Sequence, residues 1–291
     1  MLKWVVALTA VFIISAEASE NYESTIRNIY NITLWKEIAP NMHISDEIYQ
    51  NNVIETWKTS SADEEAVDDM VSRLIQEGYF LLPPPVFNLP FHSMITVMDT
   101  IHDMSLPVVF CMLYDEFWLP FARVHRLLEA LLGPGYLRLP DFWAWRIDHT
   151  LEESGWGVHA DKNSLDTCSE SGLPCSLTIW IPLADVTTDN SCMYVLPADR
   201  DPTYNLRDMR TLDDLHWADF ITSFRALPAE AGSVLGWNSR VYHFGSRASR
   251  RAKTNRYSLS FEFQAGMTLV PDAVMNVCEL VCVMSRKVVV W

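Results

Sequence analysis

The sequence predicts an α+β protein, mainly β, with helices first and strands after them. Three observations carry this. Ala66, Val67, Met70, Val71, Leu74 and Ile75 recur at helical spacing. Gly and Pro clusters close the helical zones, as at Gly78 and at Gly133-Pro134-Gly135. After Gly135 the texture changes to short alternating or apolar runs divided by turn residues, which suggests a sandwich or barrel.

Taken in order, the chain opens on a targeting segment. Lys3 precedes an apolar run from Trp4 to Ile14, and Ser15-Ala16-Glu17-Ala18 ends in an Ala-x-Ala pattern. A signal peptide over 1–18 is expected, which places the protein in the secretory pathway or outside the cell; an uncleaved membrane anchor is the alternative. Asn31-Ile32-Thr33 is a glycosylation sequon. Residues 19–62 form a polar N-terminal extension without a clear period, and Asn51-Asn52 and Thr59-Ser60-Ser61 read as loop. The main domain is expected over 63–270. Ser61-Ala62-Asp63-Glu64 caps a helix that Gly78 ends. Tyr79-Phe80-Leu81-Leu82 is a strand stopped by Pro83-Pro84-Pro85. Two more helical zones run over 91–104 and 114–132.

Strands are expected at 142–147, 177–183, 193–197, 232–237 and 257–263. Residues 203–225 are charged and partly helical, and read as an insertion over the barrel mouth. Residues 271–291 form a tail, apolar but interrupted by Glu279, Arg286 and Lys287, so no stable membrane span is expected beyond the N-terminal segment.

Composition bounds the function. An apolar fraction of 49% and eleven Trp among 291 residues supply ample core. The formal net charge of -15 repels phosphate backbones and argues against a nucleic-acid partner. The dense basic stretch is Arg247 to Arg256, with Arg250, Arg251 and Lys253 inside it. Six cysteines allow disulfides in an oxidising compartment, Cys168 with Cys175 first, while Cys278 and Cys282 would share a helix face. Free buried thiols are the competing reading, Cys111 and Cys192 included. Nothing in the sequence sets an oligomeric state.

The chemistry gathers at Gly155-Trp156-Gly157-Val158-His159-Ala160-Asp161-Lys162. As a β-strand this stretch points His159 and Asp161 to one face. With His243 from Arg240-Val241-Tyr242-His243-Phe244-Gly245 they make two imidazoles and one carboxylate. That set suits a non-haem Fe(II) that must keep three positions open. The other histidines, His43, His92, His102, His125, His149 and His216, have no such spacing and read as structural or surface groups. His149 is the nearest of them in sequence to the iron motif.

The text around these residues resembles the phytanoyl-CoA dioxygenase family of Fe(II)/2-oxoglutarate oxygenases, over roughly Asp63 to Phe263. The motifs that carry it are the helix running into Gly78–Pro83, Leu131-Leu132-Gly133-Pro134, His159-Ala160-Asp161, Ala231–Val234 before His243, and above all Trp180–Val186 followed by Asp189–Pro197. The resemblance implies a double-stranded β-helix (a jelly-roll, cupin-like core) with helices on one side. It implies Fe(II) on His159, Asp161 and His243, with 2-oxoglutarate and O2 as cosubstrates, and it admits ascorbate. It implies Arg256 as the fork for the far carboxylate of 2-oxoglutarate, with Ser258, two residues on, to assist. Arg250 or Arg251 are the alternatives to Arg256.

Hydroxylation is the expected reaction, since an Asp at the carboxylate position leaves no gap for halide. The expected substrate is a small or lipid-like molecule. Trp143, Trp145, Trp156 and Trp180 are candidates to line its pocket, though aromatic residues on strands are often plain core. A side-chain oxygenase acting on protein is a second reading. A catalytically silent binding protein on the same barrel is a third, and a cupin-like isomerase or sugar-binding barrel, with no use for Arg256, is a fourth.

Overall fold

The computed structural model describes residues 31–58, 64–84, 87, 89–162, 173–205, 220–266 and 275–276. Two antiparallel sheets form the body. The strands are β1 (Tyr79–Leu82), β2 (Leu137–Ile147), β3 (Ser176–Pro182), β4 (Met193–Val195), β5 (Arg225–Leu227), β6 (Val234–Asn238), β7 (His243–Gly245), β8 (Arg256–Gln264) and β9 (Met275–Asn276). The larger sheet has the order β1-β6-β3-β8-β2-β9 and the smaller β5-β4-β7. Together with the flanking helices they make the double-stranded β-helix core that the family resemblance implies.

Strand β8 shows why one face is a core and the other a site. Its odd-numbered residues Tyr257, Leu259, Phe261 and Phe263 join the main hydrophobic cluster under the helices. Alternation turns Arg256, Ser258, Ser260 and Glu262 to the opposite face. Strand β3 repeats the pattern: Leu177, Ile179 and Ile181 enter that cluster, whereas Trp180 belongs to a second cluster.

The helices are α1 (Ile32–Ile38), α2 (Glu47–Lys58), α3 (Glu64–Glu77), α4 (Phe91–Asp103), α5 (Leu119–Arg123) and α6 (His125–Leu132). Helix α3 ends at Gly78, whose φ of +79 is one that glycine adopts without strain. The chain turns there straight into β1, which pairs with β6. Helix α4 buries Met94, Val97, Met98 and Ile101, an i, i+3, i+4, i+7 stripe.

Three expectations need correction. Asn51-Asn52, read as loop, lie inside α2, and α1 precedes it; Thr59-Ser60-Ser61 lie outside the described residues. The reason is long-range. Trp35 is buried in the main cluster, and Tyr114 Oη donates to its carbonyl at 2.6 Å. Asp115, fully buried, accepts from the Ser45 and Asp46 N–H groups at 2.9 and 2.8 Å, just ahead of α2. Glu116 beside it accepts from the His43 N–H and lies 2.6 Å from His43 Nδ1.

Those buried acids also account for the second correction. The helix expected over 114–132 is broken into a 3₁₀ turn at Asp115–Phe117, then α5 and α6, with Pro120 near the start of α5 and Val124 between the two helices. Third, residues 155–162 are not a continuous strand; His159 alone bridges to His243, and Ser154 to Arg247.

The strand expected at 142–147 starts earlier, at Leu137, with a register shift between Arg138 and Phe142. At the end of the expected insertion, Arg225 opens a strand, β5, on the smaller sheet. In the tail, Met275 and Asn276 pair with β2. The targeting segment, His216, Cys168, Cys278 and Cys282 lie outside the described residues, and with them the expected loop disulfide. Cys111 and Cys192 are buried thiols. Among the described residues no helix is long and apolar enough to cross a membrane.

Candidate metal centre and cleft

A cleft lies between the two sheets and encloses about 550 Å³, part of it open to solvent. Trp143, Trp145, Trp180 and Trp237 line it, and His159, Asp161, His243 and Arg256 sit in its wall. Trp156 stands at its edge, 45% exposed, with its ring 4.6 Å from that of Trp143 and 5.3 Å from that of Trp145. All four tryptophans expected at the pocket are therefore present there.

The backbone brings the two histidines together. The His159 N–H donates to the His243 carbonyl at 3.1 Å, and the His243 N–H returns the bond at 2.8 Å. Their rings end 4.3 Å apart. Each Nδ1 lies against a main-chain carbonyl, Gly157 O at 2.7 Å for His159 and Val241 O at 3.0 Å for His243. A ring nitrogen facing a carbonyl must carry the proton, so in the neutral ring each Nε2 keeps its lone pair. Those lone-pair nitrogens lie 3.7 and 3.6 Å from Asp161 Oδ1. One ligand atom from each of the three residues lies within 4.8 Å of the others, a set able to hold one metal ion. Burial holds the His243 imidazole below its ordinary range, against the pull of Asp161, and so favours the neutral form a metal needs.

Arg256 opens β8 and is 2% exposed. Its Nη1 donates to the Ser191 carbonyl at 2.7 Å and to Ser191 Oγ at 3.1 Å. Its Nε has no partner among the described residues, and no carboxylate pairs with it there. Burial pushes the guanidinium down to about 10, still charged at neutral pH. A buried cation with an idle donor on the wall of a cleft fits a carboxylate from a ligand. Two glycines make room for it: a Cβ on Gly245 would stand 2.6 Å from Nη1, and one on Gly155 3.2 Å from Nη2. Ser258 Oγ, fully buried on the same strand face, also has no partner among the described residues. The alternatives fail on position, since Arg250 and Arg251 are exposed and Arg250 faces Glu152 at 3.2 Å.

Beyond the candidate metal ligands, Glu262 lies 3.4 Å from Lys162. Burial, then the charge of Asp161, pushes its carboxyl up to about 7. His149 is tied to Asn255 at 2.7 Å and His125 to Tyr136 at 2.7 Å, as structural groups.

Sequence reasoning missed three contributors. Thr178 and Trp237 bind Asp161 Oδ2, and Ser191, at φ 74, turns both its oxygens to Arg256. Thr178 left a trace as a hydroxyl within an otherwise apolar strand. Trp237 and Ser191 left none.

The family model for Phytanoyl-CoA dioxygenase (PhyH) matches residues 114–254. Among solved structures, the epimerase SnoN in complex with Fe3+, alpha ketoglutarate and nogalamycin RO is 18% identical, with a TM-score of 0.53 over 69% of this chain and 84% of that one. The non-heme alpha ketoglutarate dependent carbocyclase SnoK from nogalamycin biosynthesis is 17% identical, with a TM-score of 0.52 over 72% and 85%. HygX from Streptomyces hygroscopicus, with nickel and 2-oxoglutarate bound, is 11% identical, with a TM-score of 0.50 over 68% and 86%. No curated protein matches the sequence significantly.

Proposed function

We propose that the chain is a member of the phytanoyl-CoA dioxygenase family, whose model matches residues 114–254, and that it is an Fe(II)/2-oxoglutarate-dependent oxygenase that hydroxylates a C–H bond of a small or lipid-like molecule. The observation that carries this is the convergence of His159 Nε2, His243 Nε2 and Asp161 Oδ1, with both imidazoles held in the tautomer a metal requires. Neutral imidazole nitrogen and carboxylate oxygen suit Fe(II). When bound, Fe(II) with 2-oxoglutarate supplies the activation of O2, and one oxygen atom goes to the substrate while the keto acid becomes succinate and CO2.

The chain's own residues do the rest. His159 and His243 present fixed lone pairs, and Asp161 supplies the negative charge. Arg256 grips the far carboxylate of 2-oxoglutarate, with the Ser258 hydroxyl on the same strand face. The tryptophan walls hold an apolar substrate near the metal and keep water away from it. The intact Asp161 favours hydroxylation over halide transfer. SnoN and SnoK, named as an epimerase and a carbocyclase, show that this fold serves other oxidative outcomes too. The secretory route read from the first eighteen residues belongs to the same proposal.

The test is anaerobic binding of Fe(II) and 2-oxoglutarate, followed by succinate formation in air. The expected result is one metal per chain and iron-dependent succinate release. A protein that binds neither metal nor keto acid would favour the silent binding barrel.

A further inference from the structure

Asp161 is held from behind by two donors on a single oxygen. Thr178 Oγ1 donates to Oδ2 at 2.6 Å and Trp237 Nε1 donates to the same atom at 3.0 Å. Oδ1, by contrast, is the oxygen that faces the two imidazoles. The donors come from neighbouring strands, where Thr178 of β3 and Trp237 of β6 are direct cross-strand partners. Thr178 is 5% exposed and Trp237 2%. The Trp237 ring also lies 4.6 Å from the ring of His243, so one side chain braces two members of the triad.

We infer that Thr178 and Trp237 are a positioning pair that restricts Asp161 to a one-oxygen ligand. The inference rests on the metal reading above. A free carboxylate can grip a divalent ion through one oxygen or through both. Gripping through both takes two adjacent positions, leaving too few for a chelating keto acid and O2. Here Oδ2 can reach the metal only by giving up both hydrogen bonds. The indole N–H is a donor alone and has no other role to fall back on. Outer partners of this kind orient the ligand they touch, and removing one typically costs roughly 10- to 100-fold in metal affinity or activity.

The test uses the full chain with Mn(II), which binds such sites without redox turnover, and 2-oxoglutarate, both followed by titration calorimetry. Thr178→Val removes the hydroxyl at nearly constant shape, Trp237→Phe removes the N–H and keeps a ring, and Thr178→Ser restores the hydroxyl. At saturating Mn(II), the Val and Phe variants are expected to bind 2-oxoglutarate about tenfold more weakly than the wild type. The Ser variant should return to within about twofold, a rescue that a packing role for the threonine methyl would not produce. If Trp237→Phe does not fold, the Val and Ser pair decides alone. Wild-type affinity in Thr178→Val and in folded Trp237→Phe overturns the inference and leaves the metal reading standing. A wild-type chain that takes up no Mn(II) overturns both.

Discussion

Gly245→Ala tests whether Arg256 must stand where it does. The added Cβ would lie 2.6 Å from Nη1, with the Gly155 Cα at 3.2 Å behind it. An unstrained carbon contact needs roughly 3.5 Å, so the guanidinium has to withdraw by about 1 Å, because the backbone on the other side cannot yield. Nη1 now bonds Ser191 O at 2.7 Å and Ser191 Oγ at 3.1 Å, and a shift of that size takes both beyond hydrogen-bond range. A hydrogen bond to a charged group contributes about 1.5–3 kcal/mol. Losing one such contact to 2-oxoglutarate, at about 2 kcal/mol, weakens its binding about 30-fold. The assay is calorimetry on Mn(II)-loaded protein, with Gly157→Ala as the control, since a Cβ there meets nothing within 4 Å. Equal affinity in Gly245→Ala and wild type would refute the argument that this arginine grips the cosubstrate.

Three further predictions follow from other parts of the molecule. His159→Ala should abolish metal uptake and succinate formation while the thermal midpoint stays nearly unchanged, because the ring is 29% exposed; retained iron-dependent turnover would sink the metal assignment. Because burial lowers the folded-state pKa of His243, the unfolded chain binds a proton more readily there. The metal-free protein should therefore lose stability as pH falls below about 6.5, and a melting series from pH 7.5 to 5.5 should slope less steeply in His243→Asn. Asp115→Ala leaves the Ser45 and Asp46 N–H groups without their acceptor, at a cost of about 1–3 kcal/mol, and should lower the melting midpoint by several degrees; no shift would mean that the N-terminal helices do not depend on that carboxylate.

The elements most legible in the sequence were those whose cause is local. Helix α3 announces itself by its apolar period and by Gly78, and β8 by the alternation of Tyr257, Leu259, Phe261 and Phe263 with polar residues. The strand, turn and strand from Trp180 to Pro197 are recognisable as text. What stayed hidden has remote causes. Helices α1 and α2 are anchored by Trp35 and by the buried acids Asp115 and Glu116, far along the chain, and nothing within residues 31–58 reveals those partners. The ligand residues could be read from their spacing, but their local structure was misjudged. Residues 155–162 bring His159 and Asp161 together without forming a ladder strand. The supports of the site were invisible for the same reason: Trp237 meets Asp161 only because β6 lies beside β3, and Ser191 meets Arg256 only across the cleft wall.

The reciprocal main-chain bonds between His159 and His243 have one last consequence. The gap between the imidazoles is gauged by peptide groups, which every substitution but proline leaves in place, and not by the fit of neighbouring side chains. Walls, rim and entrance can drift in identity to suit new molecules while the span of the grip on the ion holds constant. A scaffold of that kind separates the part that evolution can tinker with from the part that it must leave alone.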